Sequence, residues 1–214
     1  MQIFIVAGRF FPHKVFVYTY HTYTPGQEET SVISYWLFIM ASNATDTEVF
    51  VYTGPRGDDV PQDVVRVRVD PSVTSIPARA FYECKKLAEV ELCEGLVEIG
   101  EGSFAHCNHA ITKISIPSTL RRIEDLAFFR SLRGPIRLHD DIESIGKWAF
   151  AGCIFTNFRV PSRITVIPEY MLSNCESTFS VNMPLTVTEI RRYAFSYCYC
   201  LRNVAFPPNA DIIS

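Results

Sequence analysis

Six times in this chain an aliphatic or aromatic residue is followed, fourteen positions later, by a phenylalanine or its substitute. The pairs are Val67/Phe81, Val90/Phe104, Ile114/Phe128, Ile136/Phe150, Phe158/Leu172 and Val181/Phe195. From each second member to the next first member the distance varies only between eight and ten residues. A unit of about 23 residues therefore repeats, with its length variation confined to one connection. A fixed period in this range is the mark of a solenoid, in which each unit buries its apolar face only against its neighbours.

Three further apolar columns share the frame. Val69, Leu92, Ile116, Leu138, Val160, Met183 and Phe206 lie two residues after the first column. Val73, Leu96, Leu120, Ile142, Ile164, Val187 and Ala210 follow four residues later. Three residues on stands a column of isoleucine alone: Ile76, Ile99, Ile123, Ile145, Ile167, Ile190 and Ile213. With Val204 opening a seventh unit, every cell of these four columns is apolar in a chain that is 48% hydrophobic. For independent positions that would occur by chance about once in 10^9 frames.

Each column has a physical reading. Apolar residues at i and i+2, as in Val90-Glu91-Leu92, form one face of a short strand. Pro117, Pro161, Pro184 and Pro207 follow directly and keep those strands short, because proline removes a ladder donor. The pair Leu96 and Ile99 marks a second edge of the coil. The stretch Ala80-Phe81-Tyr82-Glu83-Cys84 predicts a short helical turn, with Phe and Cys three apart on one face. The residue before the aromatic is small in most units (Ala80, Ser103, Ala127, Ala149, Ala194), which allows close packing between neighbours.

Cysteine fills a further core column: Cys84, Cys107, Cys153, Cys175 and Cys198, with Ser131 in the remaining unit. A buried free cysteine acts as a small hydrophobe, so five of the seven cysteines are explained by one structural position. Cys93 and Cys200 show no pairing pattern. The clusters His106-Cys107-Asn108-His109 and Cys198-Tyr199-Cys200 resemble metal ligands only when the register is ignored. No metal, cofactor or catalytic residue is expected. The chain contains no GxxxxGK, GxSxG or HExxH.

The unit reads L-x-x-V-x-L-P-x-x-V-x-x-I-x-x-x-A-F-x-x-C, most clearly in Leu87 to Cys107 (LAEVELCEGLVEIGEGSFAHC) and Ile111 to Ser131 (ITKISIPSTLRRIEDLAFFRS). This resembles the BspA-type, or Treponema-type, leucine-rich repeats, over roughly residues 65 to 214. Ser131 and the pair Met171-Leu172 depart from the pattern while keeping small or apolar character. The resemblance implies an α/β fold: a right-handed leucine-rich-repeat solenoid of short parallel strands with short helical turns, about six and a half units long. It implies a binding surface in a family that includes cell-surface adhesins. A scaffold does not fix a partner.

The expected organisation is an N-terminal extension at 1–39 outside the domain, a cap at 40–66, and the solenoid at 67–214. Glu48 to Tyr52 alternates like a strand, and with Val64 to Val69 it predicts either a capping hairpin or an extra edge coil. Arg56-Gly57-Asp58 lies in a turn-rich stretch and reads as a charged turn before it reads as an adhesion motif. Val32 to Ala41 is apolar but too short to span a bilayer, and no transmembrane segment is expected. Asn43-Ala44-Thr45 is a glycosylation sequon, meaningful only in a secreted chain. The last unit is expected to leave an open C-terminal coil, either truncated or paired with something.

Function is expected on the outward strand positions. One row is Arg68, Glu91, Ser115, Arg137, Arg159, Asn182 and Ala205; the row before it is Arg66, Glu89, Lys113, Pro135, Asn157, Ser180 and Asn203. In register these lie about 5 Å apart from coil to coil. The cations Arg66, Arg68, Lys113, Arg137 and Arg159 are the candidate partner-binding residues, suited to an acidic or extended protein segment. A net charge of −3 argues against bulk nucleic-acid binding. The expected function is that of a non-catalytic protein–protein interaction scaffold, cytoplasmic by its free thiols. The alternative is a cell-surface or secreted adhesion module.

Overall fold

The computed structural model describes residues 48–54 and 60–213. The chain divides into two units, Met1–Asp46 and Thr47–Ser214, and all described residues belong to the second. The expectations for residues 1–39, the Asn43 sequon and Arg56-Gly57-Asp58 fall outside the described residues.

Fourteen short strands follow one another among the described residues. They are β1 (Val49–Tyr52), β2 (Arg66–Val69), β3 (Ser75–Ile76), β4 (Glu89–Glu91), β5 (Glu98–Ile99), β6 (Lys113–Ser115) and β7 (Arg122–Ile123). Then come β8 (Ser144–Ile145), β9 (Asn157–Arg159), β10 (Val166–Ile167), β11 (Ser180–Asn182), β12 (Glu189–Ile190), β13 (Asn203–Val204) and β14 (Asp211–Ile212). All pairings are parallel and join a strand to its counterpart one coil away. The solenoid therefore carries a first strand face, β1-β2-β4-β6 and β9-β11-β13, and a second, β3-β5-β7-β8 and β10-β12-β14. β1 pairs with β2 in parallel, as an extra coil does; a tight hairpin would have paired them antiparallel.

The columns stack in register. Val67 faces Val90, Val90 faces Ile114, and Ile76, Ile99, Ile123 and Ile145 follow one another. The six isoleucines from Ile76 to Ile190 are all buried. In the seventh unit the register slips by one, and Ile190 pairs with Ile212 where the repeat frame had placed Ile213. Phe81, Phe104, Phe128 and Phe150 form a stacked ladder with centroids 4.9, 5.4 and 5.6 Å apart and rings within 11° of parallel. Unit five breaks the ladder with Leu172, and Phe158 of the first column supplies the missing ring, 5.1 Å from Phe150. One large and one medium side chain exchange columns, which conserves volume in a close-packed interior.

The expected helical turns are a correction. The described residues contain no helix; the segment is a ribbon of successive β-turns. The N–H groups of Ala80, Tyr82 and Cys84 donate within the coil to the carbonyls of Pro77, Arg79 and Phe81. Those of Arg79, Phe81 and Glu83 donate to Glu101, Ser103 and Ala105 of the next coil, at 2.7 to 2.9 Å. Arg79 (φ 59°) and Glu83 (φ 60°) are left-handed, as the third residue of a type II turn must be. Leu126, Trp148, Tyr170 and Tyr193 repeat the first of these positions, and His106, Arg130, Asn174 and Tyr197 the second. A non-glycine residue there costs roughly 1–2 kcal/mol. The alternation lets half of the ribbon's donors bond between coils, which an α-helix forbids.

The cysteine column has a second property beyond size. The thiols of Cys107, Cys153, Cys175 and Cys198 donate to the carbonyls of Phe81, Phe128, Phe150 and Leu172 in the preceding coil, at 3.0 to 3.4 Å. Ser131 makes the same bond to Phe104 with its hydroxyl. Outside the column, the Cys93 thiol donates to the Asp70 carbonyl at 3.2 Å. All seven cysteines are free.

Candidate binding face

The first strand face positions the predicted cations. Arg66 lies opposite Glu89 and Glu89 opposite Lys113; Arg68 lies opposite Glu91 and Glu91 opposite Ser115. The side chains follow this register. Arg66 Nε is 3.1 Å from Glu89, Arg68 Nε is 2.7 Å from Glu91, and Lys113 Nζ is 3.8 Å from Glu89. These pairs are partly or fully exposed, a setting in which an ion pair contributes about 0–1 kcal/mol.

Arg159 lies opposite Asn182, on β9. Its guanidinium is 2.8 Å from both oxygens of Asp140, and Asp140 also accepts the Ser162 N–H at 2.8 Å. These bonds, the Arg159 side chain first, hold the Asp140 carboxyl down at about 2. Arg137 is exposed and makes no ion pair among the described residues. The face therefore brings four of the five cations into pairs with carboxylates and leaves Arg137 to solvent.

The two rows do not run without interruption. Coil four has no strand on this face, and β6 and β9 are separate edges. Pro135 stands where Glu89 and Lys113 donate their N–H groups to the preceding coil, and it has none to give. Gly134 beside it turns away with φ 113° and donates forward to the Ile154 carbonyl. Arg137 sits in this gap. The second face breaks one coil later for the same reason. Gly100, Glu124, Gly146 and Arg191 each donate to the preceding coil from one position, and Pro168 occupies that position in coil five. Both prolines could have been identified from the sequence as missing ladder donors; counting only apolar cells passes over them.

Sequence reasoning also missed an aromatic row on the outside of the turn ribbon. Trp148 stacks on Tyr170 at 3.9 Å and Tyr170 on Tyr193 at 4.9 Å. The signal was an aromatic two residues before the Phe column in three consecutive units. Because the rings face each other, their flat surfaces are largely spent on one another. Among the described residues no three or more His, Cys, Asp or Glu side chains are grouped to hold a metal, and no helix is long and apolar enough to cross a membrane.

The comparisons agree with this geometry. A model of the BspA type leucine-rich repeat region matches residues 63–133 and 108–214, with six copies. A leucine-rich repeat protein of T. pallidum is similar in fold, at TM-score 0.63 and 22% identity over 72% of each chain. A leucine-rich repeat protein from Bacteroides ovatus is similar at TM-score 0.52 and 24% identity, over 75% of this chain and 46% of that one. This chain thus spans under half of the Bacteroides protein. No curated protein sequence shows significant similarity to it. With its columns, its parallel coils and a family model matched along most of the solenoid, the chain belongs to the BspA-type leucine-rich-repeat family.

Proposed function

We propose that this protein is a non-catalytic scaffold that binds another protein through the first strand face, with Arg137 as the cation that meets the partner directly. Leucine-rich repeats of this kind serve in general as interaction surfaces. The observation that carries the finer reading is the exposed guanidinium of Arg137, without an ion-pair partner among the described residues and set between in-register rows whose other cations are engaged. An acidic or extended segment is the complementary chemistry, because an Arg fork donates two parallel N–H bonds to a carboxylate. The chain acts by binding and not by turning over a substrate.

The cleanest test is Arg137→Glu. It reverses the free charge and leaves the Asp140–Arg159 pair in place, whereas reversing Arg159 would also set two carboxylates together. Affinity capture with wild type and variant, followed by binding of a Glu/Asp-rich 12-residue peptide, is expected to show partners lost and peptide affinity reduced about tenfold, typical of one lost interfacial charge contact. Unchanged partners and unchanged peptide binding would contradict the reading.

The cytoplasmic placement expected from the free thiols gains no support from the fold or the relatives. Thiols sealed between coils resist oxidation in any compartment, because burial suppresses the reactive thiolate. We therefore carry the surface or secreted alternative for location. Recovery of the native protein from the cytosol alone would overturn it.

A further inference from the structure

Neighbouring coils are joined in three places: the first strand face, the second strand face and the turn ribbon. Between the second and third coils all three are present, as β4–β6, β5–β7 and the bonds from Gly102, Phe104 and His106. Between the fourth and fifth coils both strand ladders are absent. Coil four has no strand on the first face, and Pro168 removes the donor that the Ile145 carbonyl would accept on the second. The backbone bonds that remain lie on the ribbon side. Trp148, Phe150 and Gly152 donate to Glu169, Met171 and Ser173, and a single bridge joins Arg133 to Ile154. The opposite side opens as a cleft of about 200 Å³ lined by Ser144 and Ile145 of coil four and Ile164 to Val166 of coil five.

Side-chain charge is concentrated where the backbone is missing. Asp140–Arg159 at 2.8 Å, Asp141–Arg163 at 3.1 Å, Glu143–Arg163 at 3.7 Å and Lys147–Glu169 at 3.0 Å all cross this one seam. The seam between coils three and four, with its second-face ladder β7–β8 intact, is crossed by no ion pair among the described residues.

We propose that the seam between coils four and five is a hinge, with the turn ribbon as its spine and the Asp140–Arg159 and Asp141–Arg163 pairs as the latch on its open side. All members of the latch are half or more exposed, so salt loosens them, while backbone ladders are indifferent to salt. Opening separates Arg137 on coil four from Arg159 on coil five. If the strand-face reading holds, the hinge divides the binding surface into two plates.

Hydrogen exchange tests the hinge without reference to any partner. Raising NaCl from about 0.05 M to about 1 M shrinks the screening length to about 3 Å. Exchange across residues 155–168 is expected to quicken about three- to tenfold, the scale of releasing a few exposed ion pairs, while residues 89–99 change less than about twofold. Arg163→Gln is expected to reproduce the effect at low salt. Pro168→Arg, which restores the donor that Arg191 provides one coil on, is expected to abolish the salt response. A salt response equal in both segments, or none in either, would overturn the hinge whether or not the variants fold.

Discussion

The Ser131 hydroxyl donates to the carbonyl of Phe104, one coil earlier, the bond that each downstream column cysteine makes to its own predecessor. The column therefore selects for a small side chain with a hydrogen to give, and the apparent exception in the repeat obeys the rule. A buried carbonyl left without a donor costs more than the bond itself contributed.

Ser131→Cys is accordingly expected to be close to neutral, and Ser131→Ala to destabilise by about 1–3 kcal/mol. Urea unfolding of the two variants checks this. Equal costs would show that size alone matters at this position.

Phe158 and Leu172 exchange the sizes that their columns carry elsewhere, so they form a coupled pair. Phe158→Ile alone leaves a cavity and is expected to cost about 1–2 kcal/mol. Leu172→Phe alone overpacks and is expected to cost about 1–3 kcal/mol. The double variant restores the arrangement of Ile136 with Phe150 and is expected to recover at least about 1 kcal/mol relative to the sum. Additive losses would mean the two side chains do not share space.

Burial pushes the Cys107 thiol from 9.0 to about 12 and that of Cys153 to about 11. Below pH 9 both are neutral in the folded and unfolded chains, and their contribution to stability is complete. Above pH 9 the unfolded chain ionises first, so stability falls by about 1.4 kcal/mol per pH unit per thiol until the folded value is reached. The urea midpoint is expected to fall between pH 9 and 11, and a Cys107→Ser/Cys153→Ser chain to fall less. In labelling at pH 8, exposed Cys200 is expected to react while Cys84, Cys107, Cys153 and Cys175 do not.

Asp140 is held at about 2 by Arg159 and the Ser162 N–H. A carboxyl lowered in the folded state favours folding above its unfolded value of 3.8, and that contribution is lost as pH falls through 2. Carbon-detected NMR titration is expected to place its midpoint near pH 2, and Arg159→Gln to raise it. A midpoint at the ordinary value in wild type would remove the bridge between coils four and five.

The stacked columns were legible because apolar periodicity is dictated by burial, and burial repeats coil by coil. The ribbon was misread because residues at i and i+3 share a face in a helix and can equally point inward from successive β-turns. Nothing in Leu126, Trp148 or Tyr170 announces a left-handed backbone, since such residues rarely adopt one unless cross-coil bonds impose it. The breaks in the sheets were legible in Pro135 and Pro168, but only once donors are tracked as carefully as apolar cells. The pairs of Arg66, Arg68 and Lys113 were legible, because Glu89 and Glu91 stand beside them in the same rows; that of Arg159 was not, because Asp140 reaches it from a loop outside either row.

Equilibrium unfolding of Phe104→Ala bears most closely on the ladder that sets every other register. Phe104 is fully buried between Phe81 and Phe128, so the cavity is expected to cost about 3–5 kcal/mol. A loss below about 1 kcal/mol, the scale of a surface substitution, would mean the rings do not stack inside the coils.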